Sequence, residues 1–234
     1  MINRLIKLVD ALVNAAVLLF VALILLVSVY SLLDNYAQYR DAHDDSLLVY
    51  KPALDGRLAK DRLISGNQVA WLTLYGTSID YPVMQGESNY EYLNKDPYGE
   101  FKLSGSIFMD CANARDFSDP YSLIYGHHME YGSMFGALDE YLNEAYFNQY
   151  DDGVLVTGDR TWRIELFAVA MADGMDPTIF SPSGRTTEEI TAYLDENATL
   201  YRHYDKGCPI LALSTCYGDT YNSRLVVFGM LKGQ

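Results

Sequence analysis

Cysteine, histidine and positive charge are all scarce in this chain of 234 residues. Three cysteines and four histidines stand beside 17 lysine and arginine residues and 31 aspartate and glutamate residues, which give a net charge of −14. Nucleic acid selects basic surfaces, so this acidity argues against DNA or RNA as a partner. It is compatible with an exposed domain whose charges keep it soluble.

The cysteines are too few, and odd in number, for the disulfide framework of an exported protein. They also lack C-x-x-C spacing, and the histidines form no H-E-x-x-H helix. We therefore expect no metal, no cofactor and at least one free thiol. Cys111 and Cys208 read as ordinary small residues beside Asp110 and Pro209. The free thiol therefore has to be explained at Cys216.

Charged residues are absent from Ala11 to Leu33. This apolar run is long enough to cross a hydrocarbon core of ~30 Å, which takes about 20 residues. A cleaved signal peptide is the alternative, but its apolar region is only about 7–15 residues long and ends at a small-x-small site. The run therefore predicts a retained transmembrane helix over 11–33.

The charges on the two flanks of this helix predict its orientation. Arg4 and Lys7 precede it and the acid-rich stretch from Asp34 follows, and basic residues stay in the cytoplasm. We expect a cytoplasmic tail, a single pass through the cell membrane and an extracellular remainder. The predicted divisions are a tail over 1–10, a helix over 11–33, a stalk with a helical segment over 34–66 and a folded domain over 67–234.

The stretch around Cys216 predicts a hairpin. After Pro209, large apolar and small residues alternate over 210–215, which is typical of a half-buried strand ending at the cysteine. Loop-forming residues fill 218–222, and the β-branched run that begins at Arg224 predicts a second, antiparallel strand. Such a hairpin would bring the guanidinium back towards the thiol.

A histidine pair follows another short apolar strand in the stretch S-L-I-Y-G-H-H-M, which begins at Ser122. Spacing alone does not choose between His127 and His128. A histidine beside Cys216 and Arg224 would complete a set of nucleophile, acid/base group and fixed positive charge for an oxyanion.

These motifs together resemble a known family. Tyr-Gly-His after a strand, Leu-Ser-Thr-Cys much later and an arginine beyond the cysteine look like a sortase, the cysteine transpeptidase of Gram-positive cell surfaces. The likeness runs from about Val69 to Leu231. It implies that His127 is the catalytic histidine, Cys216 the nucleophile and Arg224 the catalytic arginine.

The resemblance also implies the fold: a mostly β chain forming a closed barrel of about eight strands with peripheral helices. A long helical insert before the cysteine strand and an N-terminal helical extension mark class B sortases. The insert spans 173–207, and Thr186-x-x-Glu189 is a capping box that begins its helix. Elsewhere, the apolar spacing over 135–146 predicts an amphipathic helix, and Pro82 predicts an edge or bulge in its strand.

The family likeness implies a reaction as well. The donor would be a C-terminal sorting signal cleaved after threonine through a thioester, and the acceptor an amine of the cell wall or a pilin lysine. Two alternatives stay open: a membrane-tethered pilus-assembly scaffold without activity, and a cysteine hydrolase that uses water. Asp110 and Asp219 are the candidates to orient the histidine.

Substrate contacts are expected from the insert because it leads directly into the cysteine strand, and loops on a rigid scaffold commonly carry specificity. We predict that Ile179 and Phe180 contact the residues before the scissile bond; the alternative is that they plug the barrel. Thr215, next to Cys216, is the third predicted substrate-binding residue.

Overall fold

The computed structural model describes residues 2–42, 45–53, 56–218 and 222–233. Its strands are β1 (Gln68–Leu74), β2 (Asp80–Met84), β3 (Ile107–Met109), β4 (Tyr121–Tyr125), β5 (Asp152–Thr157), β6 (Thr161–Asp173), β7 (Ala198–Tyr201), β8 (Ile210–Cys216) and β9 (Ser223–Gly233). Its helices are α1 (Ile2–Ala42), α2 (Glu144–Gln149), α3 (Pro177–Phe180) and α4 (Thr187–Asn197). Short 3-10 segments occur at Asp45–Tyr50, Lys60–Arg62, Glu91–Leu93, Glu130–Gly132 and Phe135–Leu142.

The strands form a closed barrel. Their order is β5-β1-β2-β3-β4-β8-β9-β6-β7, and an additional pairing of β5 with β6 closes eight of the nine strands into a ring. The ninth strand, β7, pairs with β6 at Ala168–Ala170. The predicted closed barrel of about eight strands is therefore confirmed.

Pro82 lies in an inner strand rather than at an edge. It pairs with Trp71 of β1, while β3 joins β2 only from Val83 onward, so the missing N–H of the proline interrupts no pairing with β3. The irregularity in this sheet lies in β1 instead, between Gln68 and Ala70.

The strand that ends at Cys216 is buried on both faces, not half-buried as its alternation predicted. Leu211 and Leu213 point into the barrel interior, which is the largest core cluster. Ile210 and Ala212 point outward into a second core. The outward face is covered because α3 and α4 of the insert lie against it, and sequence alternation cannot reveal such a cover.

The insert between β6 and β8 supplies that cover. Helix α4 begins at a capping box in which Thr186 and Glu189 each accept a hydrogen bond from the other's backbone N–H, as predicted. Ile190 and Leu194 of this helix are buried in the second core. The helix ends at Asn197, and Ala198 is the first residue of β7.

The predicted amphipathic helix over 135–146 is two elements. A 3-10 segment ends at Leu142, and Asn143 then caps α2 through hydrogen bonds from the N–H groups of Ala145 and Tyr146. The apolar face is buried as expected, but the cap at Asn143 starts a new helix because its side chain satisfies the free N–H groups of the next turn.

Residues 1–41, which contain nearly all of helix α1, form a compact unit separate from the rest of the chain. Its segment Ile2–Tyr36 is long and apolar enough, by length and composition, to cross a membrane, and the most apolar part of it is not buried within the protein. The helix begins well before the predicted start at Ala11, so it also contains Arg4 and Lys7.

The segment that follows residue 44 packs on the outside of the barrel. Leu47 lies in a small cluster with Trp71, Val154 and Val156. Beside this cluster Asp80 accepts hydrogen bonds from the Trp71 indole at 2.7 Å and from Thr73 at 2.8 Å, and it pairs with Lys51.

We expect Asp80→Ala to lower the free energy of unfolding by about 1–3 kcal/mol, because it leaves the buried Trp71 indole N–H without an acceptor. Asp152→Ala is the matched control: it removes the exposed pair with Arg163 and should cost less than about 1 kcal/mol. Urea unfolding of the detergent-solubilised chain measures both, and equal losses would contradict this role for Asp80.

Candidate active site

The parallel pairing of β4 with β8 brings two of the predicted site residues, His127 and Cys216, to the same end of the sheet. Tyr125 lies opposite Ser214, and the N–H of Gly126 donates to the carbonyl of Ser214. Both segments continue past this pair in the same direction. His127, two residues after Tyr125, therefore lies beside Cys216, two residues after Ser214. Two segments that are far apart in sequence are thus held side by side by backbone hydrogen bonds.

Antiparallel pairing of β8 with β9 brings in the arginine. Cys216 is the last residue of β8 and lies directly opposite Arg224, so their side chains share one face of the sheet. The predicted hairpin is therefore confirmed. Asp219, one candidate to orient the histidine, lies outside the described residues.

A cavity of about 300 Å³ opens where these strands end. Its lining contains the predicted residues His127, Phe180, Thr215, Cys216 and Arg224. Sequence reasoning did not single out the remaining lining residues, which are Asn89, Tyr90, Leu93, Phe108, Tyr125, Gly126, Gly174 and Ser214. Tyr125 stood inside the Tyr-Gly-His motif, but nothing in the pattern pointed to the contribution of the loop between β2 and β3.

His127 is oriented by a backbone carbonyl. Its Nε2 lies 2.7 Å from the carbonyl oxygen of Leu93. A carbonyl oxygen only accepts, so Nε2 bears a proton, and Nδ1 is the nitrogen that takes up or releases a proton. Asp110, the other predicted orienting carboxylate, instead accepts hydrogen bonds from Asn89, Tyr125 and Ala112.

His128 belongs to a different part of the surface. Its Nε2 lies 2.8 Å from the carboxylate of Asp139, and both residues line a separate groove. Neither of them lines the cavity that contains Cys216. The structure thus separates the histidine doublet that spacing could not separate.

The guanidinium of Arg224 lies close to Gly174, the first residue after β6. A Cβ at position 174 would lie 3.2 Å from the backbone oxygen of Asn222 and 3.3 Å from Cζ of Arg224, both tighter than an ordinary contact. The φ angle of Gly174 is not in the left-handed region, so backbone conformation does not require glycine. The glycine instead leaves room for the Asn222 carbonyl and for the guanidinium. Nη1 of Arg224 also donates to the carbonyl of Ser223 at 3.0 Å.

The three predicted substrate-binding residues have different surroundings. Phe180 lines the cavity and packs parallel to the ring of Tyr125. Thr215 also lines it, but its hydroxyl donates to the carbonyl of Gly126 and so ties the cysteine strand to the histidine loop. Ile179 is fully buried in the second core and is not among the lining residues, so its expected contact with substrate does not fit its position.

Cys216 is exposed at the cavity, which makes its thiol accessible to a peptide carbonyl. An imidazole with one free nitrogen can move a proton, and a guanidinium on the same face can stabilise negative charge on oxygen. This is the set of groups that acyl transfer through a thioester requires.

Comparison with known proteins identifies the family. The model of the sortase domain matches residues 72–232, which is more than half of the chain. Sortase B of Listeria monocytogenes is 37% identical over 106 residues, and sortase B of Staphylococcus aureus is 39% identical over 87 residues. These matches cover 45% and 37% of this chain, and 43% and 36% of the two relatives, so they span less than half of either relative's length.

Solved structures give a fuller match. A class B sortase of Streptococcus pyogenes involved in pilus biogenesis is 36% identical with a TM-score of 0.67, over 72% of this chain and 94% of its own. Staphylococcus aureus sortase B is 25% identical with a TM-score of 0.71, over 86% and 99%. A Staphylococcus aureus sortase B–substrate complex is 26% identical with a TM-score of 0.66, over 75% and 86%. The chain therefore belongs to the sortase family, and these structural relatives are class B sortases.

Proposed function

We propose that this protein is a cysteine transpeptidase that cleaves a sorting signal and transfers the released carbonyl to an amine. The observation that carries the proposal is that Cys216, His127 and Arg224 line one cavity of a sortase barrel. Each side chain comes from a different strand or loop, and the register of the paired strands fixes their positions relative to one another.

In the first step the Cys216 thiolate attacks the carbonyl carbon of the scissile peptide bond. The electron pair of the carbonyl moves onto oxygen, where Arg224 stabilises the charge. When the tetrahedral intermediate collapses, the C–N bond breaks, His127 gives a proton to the leaving amine, and a thioester on Cys216 remains.

In the second step an acceptor amine attacks the thioester carbon. His127 takes the amine proton, Arg224 again stabilises the oxyanion, and the C–S bond breaks to return the thiolate and a new amide. Water in place of the amine would make the protein a hydrolase. The same residues serve both reactions, so an acceptor assay decides between them.

Two structural relatives support a sorting-signal peptide as the substrate class. One structural relative is a sortase B–substrate complex and another is involved in pilus biogenesis. For this chain we infer a donor peptide cleaved after threonine, and an acceptor amine on either the cell wall or a pilin. Phe180 and Thr215 line the cavity that would hold the donor.

Membrane anchoring completes the proposal. The segment Ile2–Tyr36 is apolar and exposed along its length, as a lipid-embedded helix must be. Arg4 and Lys7 near its start favour a cytoplasmic position for that end by the positive-inside rule, and the barrel would then act on the outer surface. Protease protection of the two ends in membrane vesicles tests this orientation.

We expect Cys216→Ala to abolish the covalent adduct with a threonine-containing sorting peptide while the fold is kept, because Cys216 is exposed and its loss leaves no buried cavity. Intact-mass measurement detects the adduct. The matched controls Cys111→Ala and Cys208→Ala should still form it, and an adduct that persists in Cys216→Ala would refute the assignment of the nucleophile.

We expect His127→Ala to slow acylation by about 100-fold or more, because it removes the acid/base group. His128→Ala should stay within about threefold of the wild type, because it loses only a partly exposed pair with Asp139. Single-turnover acylation measures both rates. Similar losses in the two variants would contradict the separate surroundings of the two rings.

We expect Arg224→Lys to lose about 100-fold in acylation rate, because an ammonium does not reproduce the planar donors of a guanidinium. Gly174→Ala should lose roughly three- to tenfold, since the methyl group crowds the Asn222 carbonyl and that guanidinium, and the guanidinium is displaced by a few tenths of an ångström.

Gly158→Ala is the control for this pair of variants, because a Cβ there has no neighbour within 4 Å. If Gly174→Ala acts through the arginine, it should have no further effect in an Arg224→Ala background. A full additional loss in the double variant would show that the crowding acts elsewhere.

A further inference from the structure

Asp110, at the end of β3, is a buried carboxylate beside the cavity. The residue is 2% exposed. Oδ2 accepts two hydrogen bonds, from Nδ2 of Asn89 at 2.8 Å and from the hydroxyl of Tyr125 at 2.8 Å. Oδ1 accepts from the N–H of Ala112 at 2.8 Å. Both oxygens therefore act as acceptors.

The two side chains that Asp110 holds are part of the cavity wall. Asn89 and Tyr125 both line the cavity that contains Cys216. The ring of Tyr125 lies 5.3 Å from that of Phe108 and 6.5 Å from that of Phe180, and these two aromatics line the cavity as well. A single carboxylate oxygen thus joins the loop before β3 to an aromatic wall.

Within the described part of the chain no lysine or arginine forms an ion pair with Asp110, so neutral donors alone compensate the cost of burying it. What a carboxylate provides is two oxygens that only accept. Burial, followed by the charge of Asp110, raises the pKa of Tyr125, which keeps the phenol protonated and its O–H directed at Oδ2.

We propose that Asp110 is a positioning residue for substrate recognition, which holds Asn89 and Tyr125 in the geometry that receives the donor peptide. It acts on how the peptide binds and not on the reactivity of Cys216. The inference rests on the proposed function, because it takes the cavity to be the donor-peptide site.

The test is Asp110→Asn in the full chain, with single-turnover acylation by a threonine-containing sorting peptide over a range of peptide concentrations. One oxygen becomes an NH₂ donor. The remaining oxygen can stay with Asn89 and Tyr125 only if the NH₂ opposes the N–H of Ala112, so the present arrangement of three donors around two acceptor oxygens is lost. We expect the half-saturating peptide concentration to rise about tenfold, as the loss of one well-placed hydrogen bond implies. Alkylation of Cys216 by iodoacetamide, resolved by peptide mapping, should keep its wild-type rate.

Asp96→Asn is the matched control. Asp96 is also a buried carboxylate between β2 and β3, but it accepts from the backbone N–H groups of Tyr98 and Glu100 and is not among the cavity-lining residues. It should leave the half-saturating concentration unchanged. Tyr125→Phe, which keeps the ring and loses only the hydroxyl, should raise that concentration severalfold. The double variant that combines Tyr125→Phe with Asp110→Asn should raise the half-saturating concentration by less than the product of the two single increases.

Three results would overturn the inference. One is an unchanged half-saturating concentration in Tyr125→Phe, which decides the matter even if Asp110→Asn does not fold. Another is an increase in the half-saturating peptide concentration in Asp96→Asn that equals the increase in Asp110→Asn. The third is slower alkylation of Cys216 in Asp110→Asn, which would place the effect on the thiol. Absence of any acylation in the wild type would instead refute the proposed function itself.

Discussion

The buried strand β8 is the constraint on which the active-site geometry depends. It pairs in parallel with β4 on one side and antiparallel with β9 on the other. The first pairing puts His127 level with Cys216, and the second puts Arg224 opposite it. Because these relations are made by backbone hydrogen bonds within a closed barrel, they do not depend on flexible side chains.

Burial of β8 on both faces makes this frame rigid. The barrel interior packs against Leu211 and Leu213, and the insert with α3 and α4 covers the opposite face. The insert thus has a structural part and a part that faces the cavity. Ile179 belongs to the core, while the adjacent Phe180 lines the site, which is possible because neighbouring residues of a short helix point in different directions.

Polar groups around the cavity are held by acceptors from elsewhere in the fold. The carbonyl of Leu93 fixes the protonated nitrogen of His127, and Asp110 fixes Asn89 and Tyr125. Both sets of contacts involve the connections flanking β3, a stretch that does not contain the nucleophile. This division lets one part of the chain supply the chemistry while another shapes the site that receives the peptide.

The sequence by itself determined the features that local patterns encode: the strand ending at Cys216, the return of Arg224 in a hairpin, the capping box at Thr186 and the apolar run from Ala11. The Tyr-Gly-His motif favoured His127 through the family likeness, but only the tertiary structure showed that His127 and not His128 lines the cavity and that a backbone carbonyl orients it. The tertiary structure also decided that β8 is covered on both faces. The physical reason is that periodicity and turn propensity act between near neighbours, whereas these contacts join segments that only strand order brings together, and a backbone carbonyl has no signature in sequence.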